Sequence, residues 1–311
     1  MKKFVKGSLI TALIMFILGI VIIIGCVMWG SHRIVKDVTD ANLPSRINTW
    51  LDELWEYEDI KWKLNFTDVE SSIHYNSNYL IHSGNHSNSQ AAHLTDVDKI
   101  SISMDGGELL IRPSKDEYFQ IESYHCKNLQ YYTEDGTFYL CNGFETAKDA
   151  ACQVILKVPA QQYNEIEISV GAGNLEYDNL TATNASITLG AGAITICNLS
   201  ADTLITDIGV GGLCITDAST IDTTLHVGIG GIEYDGLILG NLDATCSTGA
   251  IDLTLEDNMD AHNYTMNCSL GNIELEDNIY GGHVNKSIYN DSDSNYHLTC
   301  SLGEIVVDFK N

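Results

Sequence analysis

The chain has 311 residues, with 42 Asp or Glu against 16 Lys or Arg, and a formal charge of −26. So negative a balance excludes a nucleic-acid partner, because phosphate binding needs clustered Lys and Arg. A hydrophobic content of 44% is enough for a folded core, which excludes a wholly disordered acidic chain. The charge is also uneven. From residue 160 onward, 22 Asp and Glu stand against only Lys286 and Lys310, a surface that attracts divalent cations or basic proteins and repels anionic polymers.

At the N-terminus, Lys2, Lys3 and Lys6 precede Gly7–Gly30, an uncharged run dense in Ile, Leu, Val, Met and Phe. At about 1.5 Å per residue such a run spans a hydrocarbon core of about 30 Å. It is longer than the apolar region of a cleaved signal, so residues 1–30 are expected to stay as a transmembrane anchor through residues 7–30. The lysines before the span place the N-terminus in the cytoplasm and the bulk of the chain outside, as a single-pass protein of the cell membrane. Ile23, Ile24, Gly25 and Cys26 also resemble a lipobox, and lipidation of Cys26 stands as the alternative to an uncleaved helix.

Residues 31–95 read as a juxtamembrane segment. After Pro44, the residues Ile47, Trp50, Leu51, Leu54 and Trp55 recur at helical spacing and predict a short amphipathic helix. Its polar residues are Asp52, Glu53, Glu56 and Glu58, so docking on protein is favoured over an anionic membrane face. Asn76 to Gln90 is Asn- and Ser-rich and predicts a flexible linker. His74, His82, His86 and His93 fall in and around it, but Gly84 and the flanking Ser and Asn residues argue against the helix that zinc chelation would need.

Residues 96–311 carry an internal repeat. Pairs of glycines at Gly171/Gly173, Gly190/Gly192, Gly209/Gly211 and Gly228/Gly230 stand nineteen residues apart, continuing at Gly249 and then, after loop insertions, at Gly271 and Gly303. One apolar column is Val170, Leu189, Ile208, Val227, Cys246, Cys268 and Cys300. A second is Leu175, Ile194, Leu213, Ile232, Ile251, Ile273 and Ile305. A third is Tyr177, Ile196, Ile215, Tyr234, Leu253, Leu275 and Val307. Alternation of period two within so short a repeat means that no repeat can bury its own inward face. Successive repeats must therefore stack in parallel, as coils of an all-β solenoid with about 19 residues per coil. Residues 96–165 are expected as irregular first coils and 166–311 as regular ones, ending in an uncapped edge at Val306, Val307 and Phe309 that could accept another chain.

The order of an N-terminal anchor, the strand Ile100, Ile102, Met104 ending at Gly107, a strand closing on Val158 and Pro159, and then Ile166, Ile168, Val170, Gly171 and Gly173 resembles the "putative adhesin" domain-of-unknown-function family of bacterial envelope proteins. That resemblance covers about residues 96–311. It implies a surface-exposed, membrane-anchored β-solenoid and offers no catalytic residues.

Remaining side chains weigh against chemistry. Arg is absent after Arg112, and no nucleophile elbow, phosphate loop or dinucleotide fingerprint occurs, so a non-enzymatic, adhesin-like or envelope-associated binding or scaffold protein is expected. A carbohydrate-active or calcium-dependent polysaccharide-binding β-helix is the alternative. Calcium, if bound, would sit at the acidic corners, with Asp178, Asp235, Asp257 and Asp277 as candidates. No other cofactor is expected. Partners are the membrane through residues 7–30 and an envelope protein or surface glycan. Cys246, Cys268 and Cys300 read as small core residues, one neighbouring pair of which could bridge, and Cys126 with Cys141 is a second candidate bridge.

Overall fold

Alternate apolar residues, placed on one face by the two-residue period of a strand, determine where the core sits. A computed structural model describes residues 73–93, 97–143, 152–276 and 278–310, all within one unit of the chain, Thr67–Asn311. Every member of the three apolar columns is at most 2% exposed. The expected membrane span, Cys26 and the amphipathic segment lie outside the described residues. Among those described, no helix is long and apolar enough to cross a membrane.

The fold is all-β. In chain order the strands are β1 (Ile81–His93), β2 (Lys99–Ser114), β3 (Tyr118–Glu134), β4 (Thr137–Asn142), β5 (Gln153–Pro159), β6 (Tyr163–Ile238), β7 (Leu242–Leu255), β8 (Asn263–Leu275), β9 (Asn278–Gly281), β10 (Val284–Ile288) and β11 (Asn295–Phe309). β6 runs through four of the nineteen-residue repeats with its direction bent at each corner. β2 lies parallel to the first repeat of β6 with Ile100 opposite Ile166 and Gly107 opposite Gly173, so the weak upstream copy is a true rung of the stack.

The corners explain the glycine period. At Gly173, Gly192, Gly211, Gly230 and Gly249, an added Cβ would lie 1.7–1.9 Å from the carbonyl oxygen of the equivalent glycine one rung earlier. No side chain fits that space, and φ at these positions is positive besides. Each glycine carbonyl thus occupies the volume that a Cβ on the next rung would need.

The same ladder shows that the rungs do not stack in chain order. Gly303 follows Gly249, and Gly271 follows Gly303. β11 lies between β7 and β8, parallel to both, with Cys300 opposite Cys246 on one side and Cys268 on the other. Chain-order stacking and an uncapped edge at Val306, Val307 and Phe309 are therefore corrected. The physical reason is the excursion after β8. β9 and β10 fold back antiparallel on its outer edge, pairing Asn278–Gly281 with 272–275 and Val284–Ile288 with 264–268. Gly282 N then donates to Gly271 O at 2.9 Å and closes the carbonyl ladder. With that edge covered, the returning chain can pair only with the inner one.

The opposite end is also covered by antiparallel strands. β3 pairs with β1, β4 and β5, and β1 shows that part of the expected linker is a strand. Its register shifts four times against β3. Such irregularity blunts an edge strand against pairing with another chain. His82 stacks on Tyr131 with ring centroids 4.7 Å apart.

A disulfide joins Cys126 to Cys152, not Cys126 to Cys141. Antiparallel pairing sets Cys141 opposite Gln130, four residues beyond Cys126 on β3, whereas Tyr124 pairs with Gln153 and brings Cys126 beside Cys152. Cys141 is a free, buried thiol.

Two adjacent glycines test the ladder. At Gly212 an added Cβ would have a single neighbour, Gly231 O, at 3.9 Å, whereas at Gly211 it would meet Gly192 O at 1.8 Å. Gly211→Ala is expected to cost more than about 4 kcal/mol or to prevent folding, and Gly212→Ala less than about 1 kcal/mol, as measured by denaturant unfolding.

Candidate functional site

A concave feature lies where the ends of β2 and β5 meet the second corner of β6. Arg112, Pro113, Val158, Pro159, Gln161 and Tyr163 line one side of a cavity of about 330 Å³, and Tyr177, Asp178, Asn179 and Thr181 line the other. Pro159 ends β5 there. Asn179 turns the chain in the left-handed region at φ 61°, a conformation that Asn tolerates.

Tyr163 and Tyr177 form an apolar floor. The Tyr163 hydroxyl donates to Pro159 O at 2.9 Å, and burial raises both phenol pKa values well above the usual range, so neither can act as a base near neutral pH. The rim is polar. Arg112 Nη2 pairs with Glu176 Oε1 at 2.7 Å, with the two side chains 33% and 47% exposed. An ion pair so open to water adds little stability, and its cost of opening for a ligand is correspondingly small. Asn179 Nδ2 donates to Asp178 Oδ1 at 3.2 Å, and Gln161 Nε2 donates to Val97 O at 2.8 Å. One guanidinium, amides, a carboxylate and a hydroxyl above tyrosine rings can bind a polar ligand. No nucleophile and base are paired among them.

Of the calcium candidates, Asp178, Asp235 and Asp257 are not brought together. Asp178 is on the rim of this cavity. Asp235 pairs with Lys310. Asp257 accepts hydrogen bonds from Asn258 N at 2.8 Å and Asn258 Nδ2 at 3.2 Å. Asp277 lies outside the described residues. Thr254 stands between Asp235 and Asp308 in the register, so those two carboxylates do not adjoin. Among the described residues, no three His, Cys, Asp or Glu side chains converge as a metal site.

Two constellations escaped the sequence reasoning. Glu233 lies opposite Asp252 on the next rung, and nineteen-residue spacing could have revealed that pair. Burial first, and then the neighbouring Asp252 and Asp235, raise the Glu233 carboxyl above its ordinary value. Burial, Asp308 and Glu304 do the same for Asp252. The second constellation, Asp257, His262 and Ser294, carries no signal in its spacing. His262 Nδ1 and Ser294 Oγ are 2.7 Å apart, while Nε2 lies 3.4 Å from Asp257 Oδ2. Ser294 Oγ donates its proton to Gly240 O, which makes His262 Nδ1 the donor to the serine. That direction is opposite to the one a nucleophilic serine requires.

The carboxylate pair predicts a pH dependence with a definite sign. A carboxyl whose folded pKa is raised favours the fold below its unfolded value, and that contribution is lost as pH rises through the folded one. Glu233→Gln is therefore expected to raise the melting temperature at pH 7 and to lose that advantage by pH 4. Equal gains at both pH values would show that repulsion and burial of the charge are not the cause.

A family model, Toastrack DUF4097, matches residues 97–278. No curated protein matches the chain. The crystal structure of a putative cell adhesion protein from Clostridium sporogenes is similar over 71% of this chain and 97% of that one, at 12% identity and a TM-score of 0.37. That of a putative adhesin from Bacteroides fragilis is similar over 71% and 95%, at 10% identity and a TM-score of 0.33. With TM-scores below 0.5, neither likeness carries any part of the account.

Proposed function

The chain belongs to the Toastrack DUF4097 family, and from that premise we propose a membrane-anchored, extracytoplasmic, non-enzymatic β-solenoid that serves as an adhesin-like binding or scaffold protein of the cell envelope. The observation that carries the reading is the uncharged run Gly7–Gly30, preceded by lysines and followed by a polyanionic rung array. Carboxylates on outward positions keep such an array soluble and repel anionic surfaces at low salt. Protonated phenols in the cavity and the reversed proton direction at Ser294 support a binding role over a catalytic one.

A test in the native cell separates the parts of this reading. The protein is expected to stay with membranes through alkaline carbonate washing, and its residues 73–310 to be digested by protease added to intact protoplasts. Recovery in the soluble fraction, or protection of that region until lysis, would overturn the proposal.

The Arg112 cavity favours one second reading, a polysaccharide-binding β-helix. Its polar rim over an aromatic floor suits a sugar better than a compact apolar ligand. On a glycan array, that reading expects binding that Arg112→Ala reduces at least about tenfold, the loss of roughly one charged hydrogen bond. Equal binding by the variant would remove the cavity from consideration, and a requirement for calcium would bring the acidic corners back.

A further inference from the structure

The three cysteines of the first apolar column are consecutive rungs in space although not in sequence. Cys300 on β11 is in register with Cys246 on β7 and with Cys268 on β8. All three are free and buried. In-register neighbours in a parallel sheet have Cα atoms about 4.8 Å apart, inside the range of about 4.4–6.8 Å that a disulfide spans. Cys246 and Cys268 are two rungs apart, at about 9.6 Å by the same spacing, and cannot join directly. The central sulfur therefore has two partners, and each outer sulfur has one.

We propose that Cys246, Cys300 and Cys268 form a redox site in which Cys300 makes a disulfide with either neighbour, fastening the inserted strand β11 covalently to β7 or β8. The oxidant is a low-molecular-weight disulfide. One of the outer cysteines, Cys246 or Cys268, attacks one of its sulfurs as a thiolate, breaking that S–S bond and releasing one thiol, and is left as a mixed disulfide. Cys300, no longer donating to a neighbouring thiolate, then attacks that outer sulfur as a thiolate and expels the second thiol. Two protein thiols become one disulfide, the reagent gains two electrons, and the two protons end on the released thiols. The third cysteine remains a thiol beside the new bond and can attack Cys300 in turn, so the bridge can pass between the two edges of β11. The Cys300 thiol donates toward Cys246, lowering the Cys246 pKa below its usual value and giving that sulfur the greater thiolate character.

Insertion gives the bridge a mechanical role. β11 is the last of the described strands yet fills an inner rung, so its departure would leave one edge of β7 and one edge of β8 unpaired. A bond from Cys300 to either side closes that route of opening. Removing loop-closure freedom from the unfolded chain adds to the effect.

The test uses the full chain in detergent micelles, reduced and then exposed to oxidised glutathione near its melting temperature so that buried thiols become accessible. Peptide mapping is expected to find Cys300 bonded to Cys246 in some molecules and to Cys268 in others. Cys246→Ala should leave only the Cys268–Cys300 bond, and Cys268→Ala only Cys246–Cys300. Cys300→Ala should leave no bond between the two outer cysteines, each being a thiol or a mixed disulfide with glutathione. Formation of the Cys126–Cys152 bond in the same sample reports that the oxidant acted. Three free ladder thiols beside an intact Cys126–Cys152 bond, or a direct Cys246–Cys268 bond, would overturn the proposal. Wild-type mapping decides the matter even if an alanine variant fails to fold.

Discussion

Contact between a glycine carbonyl and the next rung's glycine is the constraint on which the rest depends. Because the carbonyl of Gly192 fills the place of a Cβ at Gly211, each rung can close to strand spacing on the one before it only where it carries glycine in register. That requirement sets the alignment of every other position. With the corners fixed, the columns headed by Val170, Leu175 and Tyr177 fall one above another and exclude water together. Outward positions are then left free in character, and the chain fills many of them with carboxylates.

Charge is the cost of that arrangement. Repetition at a fixed rise places like charges close together wherever consecutive rungs repeat an acid, as at Glu233 and Asp252. The chain limits this by interleaving, with Thr254 between Asp235 and Asp308, and by setting Lys310 against Asp235. Polar bonds do their larger service at the insertion. Asn263 Oδ1 accepts from Asn290 N at 2.9 Å, Asn290 Nδ2 donates to His262 O at 2.8 Å, and His262 stacks on Tyr296 at 4.1 Å. Together these hold the loop that carries the chain from β10 back to an inner rung.

Much of the fold was legible in the sequence because glycine period and apolar alternation both report the rung itself. Rung order was not legible. The segments Asn263–Leu275 and Asn295–Phe309 share Asn, Tyr, Cys, Ser, Leu, Gly and Ile at equivalent places, so either fits beside β7 and the pattern cannot choose. The choice lies in β9 and β10, short segments whose pairing with β8 depends on a turn at Gly281 and Gly282. β1 was read as linker because its register breaks erase the alternation that marks a strand. Cys152 was missed as the partner of Cys126 because a disulfide follows antiparallel register, which cysteine spacing does not encode. Of the site, only Asp178 had been singled out. Arg112 had been noted for the absence of arginine after it, and Tyr177 had been read as core.

Inter-rung contact at the glycines is the most direct test of the account, and it is measurable by NMR on protein labelled with ¹³C at glycine Cα. The account predicts cross-peaks from Gly303 to both Gly249 and Gly271, and none between Gly249 and Gly271. A direct Gly249–Gly271 cross-peak, with Gly303 contacting only one of them, would mean that the rungs stack in chain order and would contradict it.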